Sequence, residues 1–265
     1  MTTEPAVSPL FLAHGSPTLA ITDIPAHQFL RSLATSLEDP KAIVILSAHW
    51  ETDGLKVSAP GPLRTIHDFR GFPKELYDIS YPAEASQELV SRIIQSLSAK
   101  GISVTEDASW GLDHGTWVPL SLLYPNLTVP IVQLSLPHGS TPETVHALGR
   151  ALSGLSGEGI LLAGSGSTTH NLGDIRAEGT PPAGWAQTFD TWIDEGLNRG
   201  DITWFANTDA APDYRHAHPT DEHFLPLFFA MGAAGQDASP ELLHRSYSHG
   251  TISMSYFRFP VAKAA

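Results

Sequence analysis

Length, composition and charge limit what this chain can be. It has 265 residues, 42% of them hydrophobic and 16% charged, which suits one large α/β domain spanning residues 1–265. The formal net charge of −13 gives no electrostatic support for binding nucleic acid or an anionic membrane surface, so a small molecule is the expected partner.

The sequence contains no cysteine, which excludes disulfides, thiolate metal ligands and a cysteine nucleophile. Any metal ion must therefore be held by nitrogen and oxygen ligands. Residues 1–8 lack the apolar core of a signal peptide, and no stretch approaches the roughly 20 apolar residues of a membrane span. We therefore expect a soluble, cytoplasmic protein.

Short apolar runs alternate with helical patterns along the chain, which predicts an α/β fold with a central, mostly parallel mixed sheet flanked by helices. Four runs are rich in Val, Ile and Leu and are bounded by Gly, Ser or Pro, as buried strands are. These predicted strands are residues 9–13, 42–48, 131–136 and 160–164.

Helical spacing of apolar residues appears in segments that lie between and after these strands. Residues 203–220 are predicted to form a loop. Alternation near the C-terminus predicts a half-exposed edge strand at about residues 251–259. The predicted helices cover residues 89–97, residues 145–152 after a Thr141-Pro142 start, and residues 185–193.

Histidines stand where several of these strands and helices begin or end. His14 and His49 follow strongly apolar strands, His170 follows the fourth strand and a Gly/Ser/Thr run, and His223 precedes an apolar helix. Ligands of open α/β sheets bind outside the carboxyl ends of the strands, and imidazole is the commonest protein ligand for zinc, iron and copper. The pattern predicts a metal site held by His14, by His49 and by either His223 or its neighbour Glu222.

Two helix starts matter for this site. The helix after His223 begins either with Thr220 as its N-cap or with Pro226 at its first position, and both alternatives leave His223 at its N-terminal end. His114 precedes a second apolar helix start, and Asp113 or the backbone is expected to position it. The remaining histidines in polar contexts are interpreted as ordinary residues: His27, His138, His146 and His244.

Other catalytic motifs are absent from the sequence. There is no phosphate-binding loop, no Gly-x-Ser-x-Gly elbow and no His-Glu-x-x-His helix. Gly164-Ser165-Gly166 lacks the third glycine of a dinucleotide-binding fingerprint. Three serines are interpreted as turn formers: Ser16, Ser165 and Ser167.

In their order along the chain, the histidine motifs resemble the class III extradiol ring-cleaving dioxygenases, and most of all the DOPA 4,5-dioxygenase branch. The resemblance runs from about residue 9 to residue 259, and its specificity comes from six motifs in the right order. The motifs are His14-Gly15-Ser16-Pro17, Ser47-Ala48-His49-Trp50, Thr65-Ile66-His67-Asp68-Phe69 with Gly71-Phe72-Pro73, Leu112-Asp113-His114-Gly115, Thr169-His170-Asn171-Leu172, and His218-Pro219 followed by Glu222-His223.

The resemblance implies a role for each motif histidine. One divalent metal ion per chain would be held by His14, His49 and His223. Ferrous iron would support activity, and zinc is able to occupy the same site. His223 stands where the wider class carries a glutamate. His170 would be the acid/base residue and His114 a second catalytic histidine that contacts substrate or oxygen. Substrate contacts are expected from His218, Trp117 and His67.

The implied reaction uses O2 to open a catechol ring beside its two hydroxyl groups and gives a muconic semialdehyde. The metal orients and polarises the reactants, and a histidine moves protons. A catechol with an aliphatic side chain, such as DOPA, is the expected substrate.

Two other classes of function compete with this interpretation. A zinc-dependent hydrolase could use the same three histidines, since zinc accepts three protein ligands plus a water molecule. A dependence on ferrous iron and consumption of O2 would separate the two enzymes. A non-catalytic metal-binding protein would be unaffected by substitution of His114 and His170.

Overall fold

A mixed, mostly parallel β-sheet forms the centre of the protein. The computed structural model describes residues 6–37, 39–126, 128–235 and 240–261. Within them the strands are β1 (Leu10–Ala13), β2 (Ala42–Thr52), β3 (Lys56–Ser58), β4 (Gly61–Leu63), β5 (Ala83–Ala85), β6 (Thr105–Asp107), β7 (Ile131–Pro137), β8 (Ile160–Gly166), β9 (Glu241–Ser248) and β10 (Ile252–Arg258).

The main sheet has the strand order β6-β3-β7-β2-β8-β1-β10-β9, and β4 and β5 pair with each other in a small second sheet. The four central strands β7, β2, β8 and β1 run parallel, as does the β3-β6 pair. Among the described strands of the main sheet, the antiparallel pairs are β3-β7, β1-β10 and β10-β9, and the small sheet is antiparallel as well. The predicted fold class is therefore confirmed.

Helices cover both faces of this sheet, and neighbouring residues of β8 show how. A Cβ atom on Gly164 would lie 1.9 Å from the carbonyl oxygen of Pro226 on one face, while the next residue, Ser165, donates to the carbonyl of Gly115 on the other. The helices are α1 (Pro25–Ala34), α2 (Lys74–Tyr77), α3 (Gln87–Ser98), α4 (His114–Leu123), α5 (Pro142–Leu152), α6 (Gly184–Arg199), α7 (Thr203–Ala206), α8 (Tyr214–Ala217) and α9 (Pro226–Ala233).

Local sequence signals explain several of these helix starts. Thr141 caps α5 by accepting from the Thr144 backbone N–H, and Pro142 occupies its first turn, as predicted. Of the two alternatives for α9, Pro226 at the first position is correct. Every residue of α9 is buried, which explains why the helix is apolar on all sides.

The predicted edge strand at residues 251–259 is wrong in its placement. β10 lies between β1 and β9 and is buried along most of its length, so β9 is the edge. The alternating serines do not face water. Ser253 donates to Asp190 at 2.7 Å, and Ser255 accepts from Arg245 at 2.8 Å. The alternation of serines and apolar residues in β10 therefore reflects hydrogen bonds inside the protein. It does not mark a face that is exposed to solvent.

The segment at 203–220, predicted to be a loop, contains the short helices α7 and α8 and a 3-10 turn at Thr208–Ala210. Among the described residues, no helix combines the length and apolar character needed to cross a bilayer.

Candidate metal centre

Three histidines meet at the carboxyl ends of the central strands. His14 follows β1, His49 lies near the end of β2, and His223 lies just before α9. The Nε2 atoms of His14 and His49 are 3.0 Å apart, and those of His49 and His223 are 3.3 Å apart. Two nitrogens bound at about 2.1 Å to one ion, at tetrahedral or octahedral angles, stand roughly 3.0–3.4 Å apart. The spacing of both pairs therefore fits a shared metal ion.

A bulge in β2 aims His49 into this site. The pairing of β2 with β7 moves from Leu46 opposite Leu134 to Glu51 opposite Leu136, so β2 carries extra residues between these two points. Bulges bend a strand and redirect its side chains, often beside active sites. His49 was expected to follow the strand, but it lies within β2 because the strand continues past the bulge to Thr52.

His14 is held in the tautomer that a metal needs. The Ser165 hydroxyl donates its single hydrogen to the carbonyl of Gly115, so its oxygen accepts from Nδ1 of His14, at 2.9 Å. The neutral ring then has its lone pair on Nε2, facing His49. Ser165 is therefore not the turn former that the sequence indicated, because it lies in β8 and orients His14.

Glu222 holds His223 from behind. A carboxylate oxygen of Glu222 lies 2.9 Å from Nδ1 of His223 and also accepts from the Thr220 hydroxyl at 3.0 Å. Because Nδ1–H donates to this carboxylate, the lone pair of His223 is on Nε2, which faces His49. The geometry thus favours His223 as the ligand and Glu222 as its hydrogen-bond partner.

Burial keeps these imidazoles neutral, which is the form that binds metal. Burial and the neighbouring His114 lower the pKa of His49 to about 3. Burial and the surrounding histidines also hold the pKa values of His14 and His223 well below the ordinary value. Neutral rings with lone pairs directed at one another in a buried space require a cation, so the donor set fits a divalent metal ion.

His114 lies beside this group and is held by Asp68. As the first residue of α4, His114 donates its backbone N–H to one carboxylate oxygen of Asp68 at 2.9 Å, and its Nδ1 lies 3.0 Å from the other oxygen. Burial raises the pKa of Asp68, but the hydrogen bonds and charge of His114 outweigh it and leave that pKa below its ordinary value. Asp68, rather than the predicted Asp113, therefore positions the His114 ring.

Asp113 is turned away from the cluster. It caps α4 by accepting from the Thr116 backbone N–H, and it is fully buried where it accepts from Ser47 at 2.7 Å and from Gln133. Ser47 in turn accepts from the backbone N–H of His49 at 3.2 Å. Asp113 therefore supports the bulged part of β2 rather than the His114 ring.

His170 differs from the other histidines of the site. Its ring stacks on that of His223 with 3.5 Å between centroids and 8° between planes. Within the described chain, no hydrogen bond reaches its ring nitrogens, although one of them lies within 4.8 Å of ligand atoms of Glu222 and His223. Burial lowers the pKa of His170 to about 4, so its ring is neutral near pH 7.

The residues predicted to bind substrate differ in burial. His218 is fully buried and donates from Nε2 to the carbonyl of Thr168 at 2.8 Å, and Trp117 is fully buried with its indole N–H donating to Ile66 at 2.9 Å. Both side chains pack and hydrogen-bond inside the fold, and their substrate contacts stay predictions. His67 is half-buried, 5.8 Å from Trp117 between ring centroids, and its substrate contact stays a prediction.

Sequence reasoning missed Asp68 and Ser165, which orient metal-site histidines. Asp68 belongs to one of the quoted motifs, between His67 and Phe69. A carboxylate among aromatic rings could therefore have been recognised as a possible hydrogen-bond partner of a histidine. Ser165 carried no local signal, because its role depends on two partners distant in sequence. The described chain has two groups of possible ligand atoms within 4.8 Å of one another, one from His14, His49 and His114 and the other from His170, Glu222 and His223. Neither group includes the four histidines interpreted as ordinary residues.

Comparisons with known proteins place the chain in one family. The family model described as the catalytic LigB subunit of aromatic ring-opening dioxygenase matches residues 8–260. A 4,5-DOPA dioxygenase extradiol from Beta vulgaris is 42% identical over 94% of this chain and 95% of its own length. A protein with the same name from Escherichia coli (strain K12) is 38% identical over 84% of both chains.

A comparison with solved structures finds a similar fold. The crystal structure of the uncharacterized protein JW3007 from Escherichia coli K12 superposes with a TM-score of 0.79 at 31% identity, covering 96% of this chain and 99% of that one. With a family model matched over nearly its whole length, this chain belongs to the family of the catalytic LigB subunit of aromatic ring-opening dioxygenases.

Proposed function

We propose that this protein is an extradiol dioxygenase that opens catechols with an aliphatic side chain, with DOPA the first compound to test, and that it uses one ferrous ion per chain. The observation that carries the proposal is the convergence of the Nε2 atoms of His14, His49 and His223, with His114 and His170 beside them. The names of the relatives support the substrate class.

Three imidazoles suit a ferrous ion, since imidazole is a good iron ligand, and three protein ligands leave coordination positions for reactants. When bound, the ion would supply Lewis-acid polarisation and electron transfer between the catechol and O2. The carboxylates of Asp68 and Glu222 lie behind the rings and fix their direction.

His170 is proposed to move the protons. A catechol must lose a hydroxyl proton before its ring becomes electron-rich enough to react, and a proton must be returned when the O–O bond breaks. The ring nitrogens of His170 have no hydrogen-bond partner in the described chain and one of them lies beside Glu222 and His223, so the ring has a free nitrogen that can receive that first proton.

His114 is proposed to stabilise negative charge that develops on the oxygen atoms. Its Nδ1 is occupied by Asp68, so only Nε2 is available to a reactant. The centroid of its ring lies 4.0 Å from that of His49. Stabilising that charge requires the doubly protonated ring, whose Nε2–H donates to the reactant while the Asp68 carboxylate balances the positive charge. The product contains both atoms of O2 and is a muconic semialdehyde.

We also propose that residues 1–265 form one catalytic domain. The family match extends over residues 8–260, and one continuous hydrophobic core runs from Leu10 on β1 to Phe259 after β10. The cytoplasmic location remains a prediction from the sequence.

The test is anaerobic reconstitution with Fe(II), followed by addition of O2 and a panel of catechols with and without an aliphatic side chain. We expect oxygen uptake together with a yellow semialdehyde absorbance, and faster turnover of the substituted catechols. His138→Ala is the matched control, because His138 is exposed and, among the described residues, its ring pairs with Glu51 alone. Ester or amide hydrolysis by the zinc-loaded protein, with no oxygen uptake by the iron-loaded protein, would contradict the proposal.

A further inference from the structure

The His170 turn (residues 166–170) is held by buried hydrogen bonds. The ring of His170 itself makes no hydrogen bond to any described residue. The Ser167 backbone N–H donates to the carbonyl of His223 at 2.8 Å. The Thr169 hydroxyl donates to the carbonyl of Thr251 at 2.7 Å and accepts from the Ser253 backbone N–H at 2.8 Å. The position of the His170 ring is therefore set by its backbone and by stacking on His223.

Asp190 of α6 stands at the centre of these bonds. Its side chain is fully buried and accepts from Thr168 at 2.6 Å, from Tyr247 at 2.6 Å and from Ser253 at 2.7 Å. Arg245 lies 3.5 Å away. A buried carboxylate is costly unless it is fully hydrogen-bonded, so this group ties α6, β9 and β10 to the turn.

Thr168 links Asp190 to the active site. Its hydroxyl donates to Asp190, and its carbonyl accepts from Nε2 of His218, so both ends of the residue are fixed. His170 follows two residues later, and its backbone N–H donates to the carbonyl of Ala217. Loss of the Asp190 contact would release the turn on the side of α6.

We propose that Asp190 is a positioning residue for His170, acting through Thr168 to keep the imidazole on the face of His223. The inference rests on the proposed proton-transfer role of His170. It is independent of the metal ligands, since Asp190 contacts none of them among its described partners. A misplacement of about 1 Å in a catalytic group can cost about a hundredfold in rate.

The first variant to test is Asp190→Asn, whose amide nitrogen cannot accept the hydroxyl donors. We expect kcat to fall by about ten- to a hundredfold, with KM and metal content unchanged. The matched control is Asp194→Asn. Asp194 lies one turn further along α6 and pairs with Arg245 at 2.6 Å, but it does not contact the turn, so its kcat should stay at the wild-type level.

A double-mutant cycle separates positioning from a general structural role. In a His170→Ala background, Asp190→Asn should leave the residual kcat unchanged, because the group that it positions is gone. In proton–nitrogen spectra of the metal-free protein, the imidazole signals of His170 should move and those of His14 should not. An equal fall of kcat in both backgrounds would overturn the inference.

Thr168→Val keeps the test decisive if Asp190→Asn does not fold. It removes only the hydroxyl that reaches Asp190, and it should reproduce the loss of kcat and the cycle with His170→Ala. An unchanged kcat in Thr168→Val would overturn the inference. If His170→Ala itself keeps full turnover, the proposed role of His170 fails, and the inference about Asp190 fails with it. The kcat of the single variant His170→Ala therefore distinguishes this outcome from a failure of the Asp190 inference alone.

Discussion

The site contains two kinds of histidine, and we use the contrast between them to test the proposed division between metal binding and proton transfer. The proposed ligands His14 and His223 are each held at Nδ1 by a hydrogen-bond acceptor, and Nδ1 of His49 faces Asp68 at 3.5 Å. His170 has only a stacking contact for its ring. A metal ligand needs a fixed lone pair, whereas a proton carrier needs a nitrogen that the protein does not already occupy.

The backbone segments that carry these histidines differ in the opposite sense: the segment of His170 is the more firmly held. The turn that carries His170 is bound through buried side chains to α6 and to residues 251–253 at the start of β10, while His49 lies on a bulged strand. The protein thus fixes the ligand histidines through their rings and fixes His170 through its main chain. The following predictions test this division, from the largest effect to the smallest.

Replacing one ligand should remove the metal altogether. His223→Ala deletes one of the three Nε2 atoms that face one another, and two imidazoles bind a divalent ion much more weakly than three. Metal analysis after dialysis should find no bound ion, and activity should be lost. His138→Ala should retain the metal. If Glu222→Gln lost the ion and His223→Ala kept it, the Glu222 carboxylate would be the ligand. His223 would then not belong among the ligand histidines that are contrasted with His170.

Replacing His170 should affect turnover and not metal content. Because its ring nitrogens bind no other group in the described chain, His170→Ala should lower kcat by about 10²–10⁴, the usual contribution of a positioned general acid/base. Steady-state kinetics and metal analysis on the same preparation provide the measurement. Loss of the ion from His170→Ala would make this residue a fourth ligand and would break the comparison.

Removing a hydrogen bond behind a ligand should weaken metal binding without abolishing it. Ser165→Ala deprives Nδ1 of His14 of its acceptor, and loss of such outer partners lowers metal affinity by about 10–100-fold. Competition with a chelator measures this. Ser58→Ala is the control, because Ser58 is buried in the same sheet and, among the described residues, its hydroxyl bonds only to the Gln133 backbone. Equal affinities for the two variants would show that the ring of His14 needs no such support.

The metal-free protein should lose stability as the pH falls below about 6.5, the ordinary histidine pKa. Burial lowers the pKa of His49 and His218 to about 3 and that of His170 to about 4, so the unfolded chain takes up protons that the folded protein refuses. Each such histidine lowers the free energy of unfolding by up to about 1.4 kcal/mol per pH unit, until the pH reaches its folded-state pKa.

Urea unfolding of the metal-free protein between pH 7 and pH 5 measures this slope. His49→Asn should reduce the slope by the share of one histidine, while His138→Ala should leave it unchanged. A free energy of unfolding that stayed constant over this interval would mean that the imidazoles are not kept neutral by the fold.

The sequence was sufficient to predict most of the fold. Continuous apolar runs predicted β1, β2, β7 and β8 because central parallel strands are buried on both faces and tolerate few polar residues. The same logic failed for β10. Its serines are polar in sequence but buried in the structure, since Asp190 and Arg245 supply hydrogen bonds that a sequence pattern cannot reveal.

For the site, the sequence by itself determined which imidazoles are available and that they stand near the ends of buried strands or the starts of apolar helices. This was enough to single out His14, His49, His114, His170 and His223, because the strand ends of an α/β sheet converge at one edge. Only the tertiary structure decided which nitrogen of each ring faces the centre. That choice depends on contacts such as those of Ser165 with His14 and of Asp68 with His114, between residues 151 and 46 positions apart in the chain. Hydrogen bonds over such distances exist only once the strands are paired and the helices packed, so no local pattern encodes them.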